Sequence, residues 1–450
     1  MTRSLAPATI RANGASIWSG ERRPEPGAGR AHDGRTPLIS EAEVIIIGSG
    51  AFGASVAYHL AALGRQGVVV VDAHEIGSQT TPRGAGLTKQ VRPHPDVSRL
   101  AILSAEKMVR FTEETGQPLT VVRSGSVSIA RGEEDEAVIR AELAAGQALG
   151  VDTYEISYDE MSLAAPLVRP RSIRLIAYTP SDVYLEDPAQ LALGYARAAE
   201  RLGVTLLPNT PVTGIGVDAG RVARVSTAQG EIRTPAVVDA AGAWSRLLAG
   251  RIGIRVPLVP VRHQLLVTER VPGLEADHAI CRFYDARVYL RPHRGGLMLG
   301  GYEDDPQTYD MSACPPEFQI ADVPLNTDVL DRLAKSVLDQ ILVEKPLSVR
   351  EYRGGLPTMT PDGLPLLGPV PGVEGFYVAS GCCAGGVSIA PAVGEMLAEL
   401  VHTGLPSLFL DAFALTRFGA AYDTEAALQE ACLRQYKGWY SASPPVSRTR

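Results

Sequence analysis

The chain has 450 residues, of which 45% are hydrophobic and 21% charged, enough apolar material for two or more cores. Its net charge of −7 argues against a nucleic-acid partner, and no apolar run approaches the length of a membrane span. The five cysteines (Cys281, Cys314, Cys382, Cys383 and Cys432) lack zinc-site spacing, so the expectation is free thiols in a reducing, cytoplasmic setting and no metal site.

Residues 1–40 are rich in Arg, Gly, Pro and Ala and show no sustained period, so a disordered leader is expected. An organellar targeting peptide or an over-extended start are the alternatives, with Glu21, Glu25 and Asp33 weighing against targeting. The first strong signal is Glu43–Asp72. Val44–Ile47 reads as a strand buried on both faces, and Gly48-Ser49-Gly50-Ala51-Phe52-Gly53 follows it. A helical stretch over Ala54–Leu63, a stop at Gly64, a second buried strand over Val68–Val71 and a terminal acid, Asp72, complete the unit. Glycines that allow close backbone approach, opening a helix, suit a pyrophosphate, and Asp72 sits where a ribose-binding acid belongs. This is a dinucleotide site, and by itself it fits NAD and FAD equally.

Gly77–Arg92 then reads as a polar loop, with helices expected over Ser98–Glu114 and Glu133–Leu149 and a strand over Val121–Ala130 between them. Leu185–Leu202 reads as a helix, followed by strands over Val204–Leu207, Pro211–Val217, Val222–Ser226, Gly230–Arg233 and Ala236–Asp239. Val256–Thr268 and Ala279–Glu303 have an antiparallel character, and a hairpin pairs Tyr284–Arg291 with Leu297–Tyr302. A helix over Val329–Leu342 and a strand over Phe376–Ser380 follow. The strand runs into a second glycine turn, Gly381–Gly386, and a helix over Ala390–Val401; the last fifteen residues read as frayed. The second turn bears on the cofactor. A helix N-terminus there would stabilise negative charge developing on the pyrimidine edge of a reduced flavin, a need that a nicotinamide does not have.

The stretches IIIGSGAFGASVAYHLA, TPRGAGL, LEDPAQLALGYARAAERLGV, VVDAAGAWS, PLVPVRHQLLVTE, VYLRPHRGGLMLGGYE, TPDGLPLLGPVPGVEGFYVASG and GGVSIAPAVGEMLAEL stand in order between Val44 and Leu400. In these the chain resembles the FAD-dependent amine and amino-acid oxidoreductases, which include D-amino-acid, glycine and sarcosine oxidases and dimethylglycine dehydrogenase. The resemblance implies an α/β (α+β) fold, a Rossmann-like FAD-binding domain interleaved with an antiparallel-sheet substrate domain. Residues 41–90, 185–250 and 355–435 would form the first domain and residues 91–184 and 251–354 the second, with 436–450 a disordered tail. It also implies FAD contacts at Gly48, Ser49, Gly50, Ala51, Phe52, Gly53, Asp72 and Ala73. Others would come from Arg83, Gly84, Ala85, Gly86 and Leu87 beside the flavin, and from Val212, Gly242, Trp244 and Gly354. Gly381, Gly385, Gly386, Val387 and Ser388 would hold the pyrimidine edge.

The implied chemistry removes hydride from a carbon next to nitrogen onto flavin N5, after which the imine hydrolyses. The substrate would be a small secondary or tertiary amine or an amino acid that is sarcosine-, proline- or glycine-like. Departures from the family refine this. Positions that tether flavin through His or Cys in some members are Arg83 and Gly355 here, so FAD is expected to be non-covalent. Met298 stands where sarcosine oxidases carry a Lys that activates dioxygen, which leans the reading toward a dehydrogenase passing electrons to a carrier. A dioxygen-using oxidase, or an FAD-binding subunit that works only with a heteromeric partner, are the alternatives. Arg92 is the first choice for a substrate carboxylate, since Pro357 and Ser388 replace two other cations of the family, with Tyr289, Arg291, Tyr302 and His263 as pocket neighbours. The pair Cys382-Cys383 is expected to be two buried free thiols.

Overall fold

A computed structural model describes residues 6–7, 10–11, 39–343, 345–408 and 410–441. Its centre is a six-stranded sheet in the order Thr205–Leu207, Val68–Val71, Val44–Ile47, Val237–Asp239, Phe376–Ser380, Leu366–Pro369. The first five strands are parallel and the last is antiparallel. The continuous apolar runs follow from burial on both faces. Val44, Ile46, Val68 and Val70 pack with the helices Ala51–Ala62, Pro95–Val109, Ala189–Arg201 and Gly386–Thr403. Ile45, Ile47, Val69 and Val71 pack on the other face against Ile215, Val225 and Ile232 of a three-stranded antiparallel sheet.

A second, nine-stranded sheet runs in the order Ile10–Arg11, Leu347–Gly355, His263–Arg270, Gly296–Gly301, Val288–His293, Ile280–Phe283, Ser126–Ala130, Leu175–Thr179, Tyr154–Glu155. It is antiparallel except where Ile280–Phe283 meets Ser126–Ala130 and Ile10–Arg11 meets Leu347–Ser348. The central hairpin turns at Arg294-Gly295, both at positive φ (49° and 76°), the two-residue turn whose twist matches the strands.

Several sequence expectations are revised. The stretch Val121–Ala130 is two strands: Gly125, at φ +68°, breaks it, and Val121–Val122 pairs instead with Tyr184–Leu185. The helix expected from Leu185 starts at Ala189, and the one expected over Val329–Leu342 ends at Lys335. The helix Pro95–Val109, expected in the substrate domain, packs through Leu100, Ala101 and Met108 with the helices that cover the six-stranded sheet. Residues 436–441 are not a frayed tail. Helix Glu425–Lys437 carries them into the core, where Tyr436 and Tyr440 are buried, while 442–450 lie outside the described residues. Of the expected leader, Ala6–Pro7 and Ile10–Arg11 are short strands, and most of the rest is outside the described residues.

Candidate active site

One cavity of about 680 Å³ runs along the junction of the two sheets, and its walls hold most of the candidate residues. At one end strand Val44–Ile47 gives way to Gly48, at φ +101°, where a Cβ would come 2.4 Å from the Ala240 carbonyl oxygen. A Cβ on Gly53 would fall 1.9 Å from the Gly48 carbonyl oxygen, so Gly53 seats the helix on the turn and does not face the cavity. Gly48, Gly50, Ala51 and Phe52 do face it, with Asp72, Ala73, Val212, Gly242 and Trp244 around them. Ser49 is turned away. Its N–H and hydroxyl donate to Asp72 Oδ2 at 2.7 and 2.6 Å, while the His74 N–H donates to Oδ1 at 2.9 Å. Asp72 is thereby fixed at the strand end by the glycine turn itself.

Midway, the loop Arg83–Leu87 forms one wall. Arg83 bends back to donate to the Ser78 carbonyl at 2.7 Å. Arg291, expected beside the substrate, lies behind this loop instead and does not reach the cavity. Its Nε donates to the Ala85 carbonyl at 2.7 Å, one Nη to the Leu185 carbonyl at 3.2 Å, and its guanidinium covers the Tyr184 ring at 4.5 Å. Burial pushes its pKa down to about 10, with Glu186 opposing the shift. Opposite stands the second glycine turn. Gly385, Gly386, Val387 and Ser388 line the cavity, and the helix begins at Gly386, a turn earlier than its apolar period suggests. Gly381 and Gly354 do not line it. A Cβ there would meet Thr360 Cγ2 at 2.6 Å or Leu325 Cδ2 at 2.3 Å, so both glycines serve packing. Cys383 and Ala384 hold positive φ (44° and 55°), and the Thr358 carbonyl and hydroxyl accept from the N–H groups of Cys383 and Cys382 at 2.8 and 3.1 Å. All five cysteines are free, and burial pushes the Cys383 thiol up to about 12.

Beyond the turn lies a chamber walled by Arg92, His263, Tyr289 and Tyr302, together with residues that the sequence reading missed: Lys89, Arg282, Trp439 and Tyr440. Arg92 is buried, donating from Nε to the Lys89 carbonyl and from one Nη to Ser388 Oγ, both at 2.8 Å. Among the described residues it has no carboxylate partner at ion-pair distance. Burial lowers its pKa from the ordinary guanidinium value. Lys89 pairs with Glu142 at 2.6 Å and Arg282 with Asp182 at 3.4 Å. His263 has its Nδ1 at 2.8 Å from the Tyr436 hydroxyl and its Nε2 at 3.0 Å from that of Tyr289, and burial drives its pKa down to about 4. Gly300 makes room for Tyr289, whose hydroxyl would sit 2.2 Å from a Cβ there.

Residues 43–400 match the family model described as FAD dependent oxidoreductase. The chain belongs to this family. Human mitochondrial sarcosine dehydrogenase is 32% identical over 389 residues, covering 85% of this chain and 42% of that protein. Mouse mitochondrial dimethylglycine dehydrogenase is 29% identical over 428 residues, covering 92% and 49%. The chain thus spans about half the length of these curated relatives. The crystal structure of L-proline dehydrogenase from P. horikoshii superposes with a TM-score of 0.76 at 25% identity, covering 85% of this chain and 98% of that one.

FAD is the cofactor of the FAD-dependent oxidoreductases, and the residues present fit it. Two helix N-termini open on one cavity, the turn before the first has no room for a Cβ at Gly48, nor the first helical turn at Gly53, and a fixed carboxylate stands at the strand end. Where the family resemblance puts a tethering Cys in other members, Gly355 lines the cavity, and a Cβ at that position would come 3.1 Å from Thr80 Cγ2. Met298 is fully buried in an apolar cluster with Leu265 and Val267 and does not reach the cavity. Among the described residues no helix is long and apolar enough to cross a membrane, and no group of His, Cys, Asp and Glu could hold a metal ion.

Proposed function

We propose that this oxidoreductase oxidises the C–N bond of a small secondary or tertiary amine or an amino acid, bearing one carboxylate, in the sarcosine-, proline- or glycine-like class. The observation that carries the reading is Arg92. Three cations line the chamber, and Lys89 and Arg282 already have Glu142 and Asp182. A buried guanidinium without a counter-charge is costly, and a carboxylate offering two acceptors relieves that cost. One uncompensated cation favours a monocarboxylate.

The flavin supplies a hydride acceptor when bound, through a non-covalent FAD in our reading. The chain's own groups orient the substrate and keep the site dry. With both ring nitrogens engaged by tyrosine hydroxyls and its pKa near 4, His263 is neutral at pH 7 and brings no charge to the chamber wall. An amine bound neutral needs no strong base to release hydride, in keeping with a wall of tyrosines. Met298 does not reach the cavity and so does not bear on the acceptor; the dehydrogenase reading, with an electron carrier as acceptor, is supported by the relatives and the solved neighbour that are named as dehydrogenases. The free thiols fit a reducing compartment such as the cytoplasm, although two relatives are named as mitochondrial.

The test is an anaerobic screen of N-methyl and cyclic amino acids, monitored by flavin bleaching. Arg92→Ala should weaken apparent affinity for carboxylate substrates by about a hundredfold, the scale of losing one partner of a buried charge pair. Unchanged affinity would show that the carboxylate binds elsewhere. Rapid reoxidation of the reduced enzyme in air would replace the dehydrogenase reading with an oxidase.

A further inference from the structure

Trp439 comes from the segment just after helix Glu425–Lys437, far in sequence from every motif that marks the site. It lines the chamber, its ring stacks on Tyr302 with centroids 5.3 Å apart and planes 18° from parallel, and the Arg92 guanidinium carbon lies 5.2 Å from its ring centroid. Tyr302 is itself held, with its ring 4.9 Å from His263 and 5.1 Å from Tyr436. A guanidinium has five N–H donors in one plane. Lys89 and Ser388 take two of Arg92's, which anchors one edge of the fork and leaves the opposite edge for a ligand. Hydrogen bonds along one edge resist sliding in the plane but resist tilting poorly. A flat aromatic face against the guanidinium resists tilting and excludes water from that side, and such contacts strengthen where they are desolvated.

We propose that Trp439 is the positioning residue for Arg92: it holds the guanidinium plane so that its free edge is presented to the substrate carboxylate. This rests on the reading of Arg92 given above. Trp439 meets both Tyr302 and Arg92, so the segment after helix Glu425–Lys437 completes the anion-binding end of the chamber. Trp439 touches no reacting atom in this role. It acts through the arginine.

The holoenzyme can be tested with glycine betaine, a carboxylate whose quaternary nitrogen has no lone pair to drive oxidation and which is soluble enough to titrate to molar concentrations. Its dissociation constant is read from the flavin absorbance change in wild type, Trp439→Ala, Trp439→Phe, Arg92→Ala and the Arg92→Ala/Trp439→Ala double variant. FAD content serves as the check on folding. Trp439→Ala is expected to weaken betaine about five- to thirtyfold, and Trp439→Phe, which keeps a flat face, no more than about threefold. In the Arg92→Ala background the further loss from Trp439→Ala should vanish, because the residue that it positions is gone. An undiminished loss in that background, with Arg92→Ala itself weakening betaine as expected, would overturn the inference alone. Unchanged affinity in Arg92→Ala would overturn the carboxylate reading and the inference with it. Equal losses from Phe and Ala at position 439 would also overturn it, since the flat face would then do nothing.

Discussion

Ser49 lies in the glycine motif, yet its side chain is directed at Asp72 and not into the cavity. Its hydroxyl donates to Asp72 Oδ2 at 2.6 Å and accepts from the Gly77 N–H at 3.0 Å, and the residue is fully buried. Ser49→Ala therefore removes a charge-assisted hydrogen bond and orphans a buried donor. A hydrogen bond to a charged group is worth about 1.5–3 kcal/mol, and an unsatisfied donor costs about 1–3 kcal/mol. The Ser49 N–H still holds Oδ2, so the carboxylate stays near its place but is less confined. The expected result is a loss of about 2–4 kcal/mol in the stability of the apoprotein to urea, together with roughly tenfold weaker FAD binding. Apoprotein unfolding monitored by circular dichroism gives the first quantity, and recovery of FAD fluorescence on dilution of the holoenzyme gives the second. Ser49→Thr, which keeps the hydroxyl, should retain most of the FAD affinity. An unchanged FAD affinity in Ser49→Ala, alongside the expected loss of stability, would refute the idea that this serine matters to the cofactor through Asp72.

Met298→Lys would put an ammonium among Leu265 and Val267, so it should destabilise the protein by several kcal/mol without speeding reoxidation in air; faster reoxidation in a stable variant would show that the position does reach the flavin. His59 is buried, its Nδ1 lies 2.8 Å from the Ser55 carbonyl, and burial, with Lys107 adding to it, drives its pKa down to about 3. Because the unfolded chain binds that proton from about pH 6.5 downward and the folded chain does not, His59 contributes stability that is fully present above pH 6.5 and lost toward pH 3. His59→Asn keeps a donor near the Nδ1 position, and it should flatten this part of the pH–stability curve in denaturant melts; a curve of the same slope would show that another group carries it.

The nucleotide half was legible because its signals are local. Val44–Ile47, Gly48–Gly53, the helix and Val68–Val71 fall within thirty residues, and each apolar strand position finds a covering layer. The second glycine turn was legible for the same reason, although only the structure shows the helix beginning at Gly386. Arg291 misled because a period of two says which residues share a face and not what covers that face along its length. Tyr289 and Arg291 alternate alike, but the strand passes under the Arg83–Leu87 loop between them and Arg291 becomes its clamp. Trp439 and Tyr440 were lost to a reading of the end as frayed, though Leu428, Cys432 and Tyr436, four residues apart, mark the buried stripe of the helix that leads into them.

The cations of the chamber expose the deeper limit. Arg92, Lys89 and Arg282 are all basic and all buried, and nothing in their local sequence separates a ligand-binding charge from a structural one. What separates them is pairing across distance. Glu142 lies 53 residues from Lys89, and Asp182 lies 100 residues from Arg282. Only with those two carboxylates in position does Arg92 stand out, as the buried cation with donors left over and no counter-charge among the described residues. The arginine proposed to bind substrate is thus picked out by the acceptor that the fold withholds from it, and that is information a sequence motif does not contain.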